Sequence, residues 1–268
     1  MRCADRQANG GYARVSKYRT VLSMYRMFQL SLLVLVLVAG RALSCDLALV
    51  LAVDVSGSVD DKEYRLQMDG LAHALRDGVI SEALVRGRAQ VMLVQWTGSS
   101  RQRITIPWTG LDSFEALEAF ADRVADDPRI WRNYSTAIGD ALEFVLPAFG
   151  HVQHCARQLI DVSGDGQSNE GRSPTDIHQR LKRAGITVNA IAIEASEPDL
   201  TAYFYENVIV GEGAFVITAS SFDEYPDRIR KKLLREVTRQ SAQRSANSSL
   251  AFHGPSWRLR RDNKTEPQ

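Results

Sequence analysis

The chain has 268 residues, 44% of them hydrophobic and 24% charged, with a formal charge of +1. This is an ordinary globular composition, with chain enough for one large domain or two small ones. The near-neutral balance gives no basis for a nucleic-acid-binding surface.

The first 44 residues differ from the rest. Arg14, Lys17, Arg19 and Arg26 precede an apolar run at 32–39, and Ala42-Leu43-Ser44 then sets small residues at the two positions a signal peptidase reads. The pattern predicts a secretory signal over residues 1–44, cleaved before Cys45, and an exported protein, periplasmic or secreted. The apolar run is short of the ~20 residues a bilayer span needs, so no stable span is expected in the mature form; an uncleaved anchor is the alternative. A start at Met24 or Met27 would give a signal of more usual length. A lipid-anchored Cys45 is disfavoured, because Ala-Leu-Ser lacks a Leu three before the cysteine and a Gly or Ala just before it.

Residues 47–53 are continuously apolar and read as a strand buried on both faces. Asp54, Ser56 and Ser58 follow where that strand gives way to a loop, and in open α/β sheets ligands bind beyond the carboxyl ends of the strands. One carboxylate and two hydroxyls are hard oxygen ligands, suited to Mg²⁺ or a similar divalent cation. The competing reading is a polar strand-to-helix turn, since Asp, Ser and Gly all favour turns.

Over 59–78, Tyr64, Leu66, Met68, Leu71, Ala74 and Leu75 recur at roughly helical spacing behind an acidic first turn. Residues 89–96 read as a second buried strand, and 101–108 as a third, edge-like strand with Ile104 and Ile106 on one face. A helix over 113–124 has Ser113 as its cap, and another spans 136–149. A fourth strand at 157–163 ends in Gly164-Asp165-Gly166. A helix over 174–184 opens on a proline. A fifth strand at 186–193, a short helix at 199–207, a sixth strand at 214–218 and a closing helix from 221 to about 240 complete the order. Strands alternating with helices predict an α/β fold: one doubly wound, mainly parallel six-stranded sheet with helices on both faces. The domain is expected over 45–240, with no internal repeat and no second domain. Residues 241–268, polar and aperiodic, read as a disordered tail.

Three segments carry a resemblance. Asp54-x-Ser56-x-Ser58, the stretch Thr136-Ala-Ile-Gly-Asp-Ala-Leu142, and the strand ending Ser163-Gly164-Asp165-Gly166 fall in order at strand ends and helix starts. They resemble the D-x-S-x-S, T-x-T-G-x-A-L and D-G segments of von Willebrand factor A (vWA) domains, which build the metal-ion-dependent adhesion site. The resemblance implies a metal site of Asp54, Ser56, Ser58, Thr136 and Asp165, with Asp165 acting through water. It implies Mg²⁺, with Mn²⁺ as the alternative, and a protein partner that supplies a Glu or Asp to the open coordination position. Ile138 departs from the family's second Thr, at a cost in packing or one hydrogen bond. Further stretches (LAVDVSGSVD, Trp96, Pro107-Trp108, Asn169, GITVNAIAI, VIVGEGAFV and Lys231-Lys232-Leu-Leu-Arg-Glu236) resemble secreted vWA-like proteins of unknown function from Gram-negative bacteria. That similarity spans residues 46–238 and speaks to fold rather than function.

Other polar residues have plainer readings. Asp161, inside the fourth strand, is expected to anchor local backbone. Asp140 either supports the site or is solvated. The five histidines form no ligand spacing, and Gly164-Asp165-Gly166 is not a dinucleotide fingerprint. If the first and fourth strands are neighbours, as in the doubly wound order, Cys45 and Cys155 fall at the same end of both, opposite the metal, and a disulfide is expected in an oxidising compartment. Two rival functions remain open. A hydrolase or phosphotransferase would need a His or Lys beside Ser56 or Ser58, and neither is visible in sequence, so no enzyme activity is expected. A metal-independent structural or interaction module would keep the triad as a hydrogen-bonded turn.

Overall fold

The structure, a computed structural model, describes residues 45–251, with side chains to Thr238. The expected signal segment and the residues after 251 lie outside the described residues. In chain order the elements are β1 (Leu47–Asp54), α1 (Asp61–Leu75), α2 (Gly78–Arg86), β2 (Ala89–Trp96), β3 (Gln102–Leu111), α3 (Phe114–Ala125), α4 (Ile138–Val145), β4 (Arg157–Gly164), α5 (Pro174–Ala184), β5 (Ile186–Ile193), α6 (Leu200–Asn207), β6 (Val216–Ala219) and α7 (Tyr225–Ala251).

The strands form one sheet in the order β3-β2-β1-β4-β5-β6. Every neighbouring pair is parallel except β2–β3. Successive side chains of a strand point to opposite faces, and both faces of β1 are covered. Leu47, Leu49, Leu51 and Val53 enter one core with Met68 of α1, Phe120 of α3 and Leu233 of α7. Ala48, Val50 and Ala52 enter the other with Leu142 of α4, Ile177 of α5 and Phe204 of α6. That is why β1 is apolar without alternation. The chain winds from β1 out to β3, then returns to β4 on the other side of β1. The switch point therefore lies between the carboxyl ends of β1 and β4, where such sheets bind ligands.

Local chemistry explains where the elements begin and end. Asp60 and Glu63 form a reciprocal capping box at the start of α1, with bonds of 2.8 and 2.7 Å. The helix expected over 59–78 stops at Leu75, and a second helix, α2, follows that the periodicity did not separate. The break is made by Asp77, whose side chain accepts from the amides of Val79 and Ile80. The helix expected over 136–149 ends at Val145, passing into a 3₁₀ turn, Leu146–His151, that contains Pro147; proline offers no N–H to continue the ladder. In β3 the pairing shifts register between Val91 and Leu93, opposite Pro107, as an edge strand allows.

Helix α7 continues to Ala251, past residue 240, where the domain is expected to end. The added stretch is made mainly of Ser and Ala and is free of Gly and Pro, and extending a formed helix costs little once it is nucleated. Cys45 and Cys155 are joined in a disulfide with Cα atoms 4.4 Å apart, beside backbone bonds from Ala156 to Cys45 and Arg157 to Asp46. Among the described residues no helix is long and apolar enough to cross a membrane.

Candidate metal centre

Asp54 is the last residue of β1 and is fully buried. Its Oδ1 accepts from the Ser56 amide at 2.7 Å, which folds the chain back over the strand end. Ser56 and Ser58 hydroxyls stand 3.2 Å apart, and Ser58 donates to Asp165 Oδ1 at 2.6 Å. Gln67 of α1 donates to the Asp54 carbonyl at 3.4 Å and accepts from Ser163 at 3.3 Å, joining the ends of β1 and β4 from beneath.

A second loop closes the side of the site. Gln95, at the end of β2, donates to Asp127, Pro128 and Tyr64 and accepts from the Ile130 amide. Arg129 reaches under the β1–α1 loop to the carbonyls of Val55 and Ser56 and pairs with Asp61. These bonds set the segment that leads to Thr136. The two loops meet backbone to backbone: the Gly57 amide donates to Tyr134 at 2.8 Å. A side chain on Gly57 would begin 3.2 Å from Asn133 Cα, so a residue larger than glycine would crowd the backbone of the facing loop. Thr136 is held by Asn169 from both directions. Its amide donates to the Asn169 side chain, and its carbonyl accepts from the Asn169 amide, each at 2.9 Å. Thr136 Oγ1 faces Gly166, 3.8 Å from where a side chain there would begin.

The predicted residues fall on neighbouring loops beyond the carboxyl ends of β1 and β4. Asp54, Ser56, Ser58 and Asp165 are linked by hydrogen bonds or by charge, and Thr136 lies across Gly166 from Asp165. Burial, then the neighbouring Asp165 charge, pushes the Asp54 carboxyl up to about 8, against the hydrogen bonds from Ser56. Burial also raises Asp165, with Glu63 and Glu197 adding to the rise and the Ser58 hydrogen bond opposing it. Asp54 Oδ2 is buried without a hydrogen-bond partner, and a side chain on Gly164 would begin 3.0 Å from it. Two carboxylates short of positive charge, an orphaned carboxylate oxygen and three hydroxyls fit a hard divalent cation.

Several side chains differ from their sequence readings. Asp161 does not anchor local backbone: it pairs with Lys232 of α7, because mid-strand it points into the α7-covered core, away from free backbone groups. Asp140 accepts from the Arg172 amide at 3.2 Å and so holds the loop leading into α5. The hydroxyls of Ser56 and Ser58 have no His or Lys partner among the described residues. His154 lies beside Cys45 and Cys155, whose sulfurs bond each other. The positioning residues Gln95, Asp127 and Arg129 were not anticipated; their roles depend on contacts across more than thirty residues, and no local pattern marks them.

Residues 44–241 match the profile of a family described as protein of unknown function (DUF1194). A comparison with curated protein sequences finds no match. Among solved structures, the chain is similar to proximal thread matrix protein 1 from the mussel byssus, with TM-score 0.53 and 20% identity over 71% of this chain and 47% of that one. Another structure of the mussel protein, at TM-score 0.51 and 19% identity over 72% and 46%, is described as having a zinc-occupied MIDAS motif. A von Willebrand factor type A protein from Catenulispora acidiphila matches at TM-score 0.51 and 16% identity over 72% and 43%. The pilus adhesin SpaC from Lactobacillus rhamnosus GG matches at 0.54 and 13% over 72% and 31%. The chain spans about half the length of the mussel protein. The shared fold is that of vWA domains.

Proposed function

This chain belongs to the DUF1194 family and has the vWA fold, and we propose that it is an exported module that binds a divalent cation at Asp54, Ser56, Ser58, Thr136 and Asp165 and through it holds a carboxylate of a protein partner. The observation that carries this reading is the buried, unpaired Asp54 Oδ2 beside Asp165 in a crevice lined with hydroxyls. Such an arrangement lacks only a positive charge. The mussel protein's zinc-occupied motif supports a cation at the corresponding place.

When bound, the cation supplies an electrophilic centre for an incoming carboxylate. The chain's own residues do the rest. Asp54 and Asp165 provide the charge, and the hydroxyls complete an oxygen set that Mg²⁺ accepts, with Mn²⁺ the alternative. Gln67, Arg129 and Asn169 fix the three loops. Ser56 and Ser58 serve as ligands, since among the described residues no His or Lys adjoins their hydroxyls. Export is supported by the signal pattern ahead of Cys45 and by the Cys45–Cys155 disulfide, a bond that persists in oxidising compartments.

Calorimetric titration of the purified chain with Mg²⁺ and with Mn²⁺, beside the Asp54→Ala variant, tests the reading. Saturable heat in the parent and none in the variant is expected. Equal behaviour of the two proteins would overturn it.

A further inference from the structure

In the middle of β4, before the strand reaches the crevice, the sheet buries a second charged cluster that the proposed function does not use. Lys232 is 0% exposed, Glu236 1% and Asp161 3%. Lys232 Nζ contacts Asp161 Oδ1 and lies 2.8 Å from Glu236 Oε1. Asn189 of β5 donates to the same Glu236 oxygen at 2.8 Å and so orients it. The surroundings are apolar and aromatic: the Phe215 ring lies 5.9 Å from Nζ, and Tyr225, fully buried, feels the Asp161 charge. Asp161 Oδ2 and Glu236 Oε2 have no hydrogen-bond partner. One ammonium thus faces two carboxylates in a dry site, leaving a negative charge without compensation. Such burial is costly when the ions stay ionic.

We infer that Lys232 and Asp161 condense to an intramolecular isopeptide bond, with Glu236 carrying the protons. One ammonium proton passes through Glu236 to an Asp161 oxygen, giving a free amine and a neutral acid. Nζ then attacks Cγ, and the new N–C bond forms. A second nitrogen proton, again through Glu236, reaches the leaving hydroxyl; the C–O bond breaks and water departs. The nitrogen keeps the third proton, and Glu236 ends as it began. Ammonium plus carboxylate gives amide plus water, with no oxidant or cofactor.

Three features favour this over a standing ion pair. The two reacting groups are held in contact by the fold, which replaces an encounter with a fixed approach. Burial, opposed by the Lys232 charge and aided by that of Glu236, lifts the Asp161 carboxyl to about 7, so the neutral acid that the attack requires is accessible. The product removes a buried opposite-charge pair and releases its water to bulk. The bond would tie α7 covalently to the central strand β4, independently of any cation.

Peptide mass spectrometry of the purified full chain, digested with trypsin after reduction, tests the inference. The expected result is a branched peptide joining the segments that contain Asp161 and Lys232, one water lighter than their sum. Linear peptides carrying both residues unmodified would overturn the bond. In Glu236→Gln, checked for folding by circular dichroism, the linear peptides should return. Persistence of the branched peptide in that variant would overturn the role given to Glu236.

Discussion

Strand β4 carries an aspartate in mid-strand and another just beyond its end, and the two live differently. Asp161 is sealed in the sheet and faces Lys232 and Glu236 from α7. Asp165 sits at the crevice with Asp54, and among the described residues no cationic side chain is seen to pair with either. Both regions crowd two carboxylates, and burial raises the proton affinity of Asp54, Asp161 and Asp165. The interior region carries its own cation, because nothing from solvent can reach it. The end region leaves that charge to be supplied from outside. The same acidic residue type is structural where the chain provides the counter-charge and receptive where it does not.

The comparison can be broken first at the interior. Lys232→Met removes the proposed bond together with the Lys232 counter-charge to Asp161 and Glu236, and should cost at least about 3–5 kcal/mol in urea unfolding. A cost near zero would show that α7 is held by its apolar face alone. Next comes the double variant Cys45→Ser, Cys155→Ser. The disulfide spans a sequence separation of 110, and its loss should cost about 2–4 kcal/mol. It lies at the opposite ends of β1 and β4 from the crevice, so the melting shift induced by cation should survive unchanged.

At the crevice the effect should depend on cation and pH. A cation at a hundredfold its dissociation constant stabilises by about 2.7 kcal/mol, and Asp54→Asn should abolish that gain. The sign without cation is opposite. Asp54 titrates at about 8 in the folded chain against an ordinary 3.8, so its contribution to stability is complete below about pH 3.8 and is lost as pH rises through 8. Melting temperature of the cation-free chain should therefore carry a decline over that window, which Asp54→Asn flattens and saturating Mg²⁺ offsets.

How much of this was legible in sequence follows from the range of each interaction. The strand β1 was readable because both its faces are covered, which makes the run continuously apolar. Asp54, Ser56 and Ser58 were readable because their chemistry is packed into five consecutive residues. The split between α1 and α2 was not, since Arg76-Asp77-Gly78 interrupts the helical pattern too briefly to show. Lys232 and Glu236 sit among Lys231, Arg235 and other charged residues of an amphipathic helix, and such residues ordinarily face water. Asp161, a charge inside a buried strand, reads in sequence as a local backbone anchor, and its actual partner comes from the far end of the domain. The same distance hid Arg129, which serves the site by reaching carbonyls in a loop more than seventy residues earlier.

The finest test separates a ligand from the groups that aim it. Asn169 touches Thr136 through one side-chain and one main-chain bond, and only the first is lost in Asn169→Ala. Losing one such bond should cost about 1 kcal/mol of stability, with the Thr136 amide left to find water. The Thr136 hydroxyl would then be less well placed, and cation affinity should fall several-fold while the number of bound ions stays one. Asn169→Asp retains an acceptor for the Thr136 amide and should recover most of the stability. If Asn169→Ala leaves affinity untouched while Thr136→Ala removes it, the loop is fixed by its backbone bonds alone, and the crevice owes its readiness to the chain path more than to the side chains that brace it.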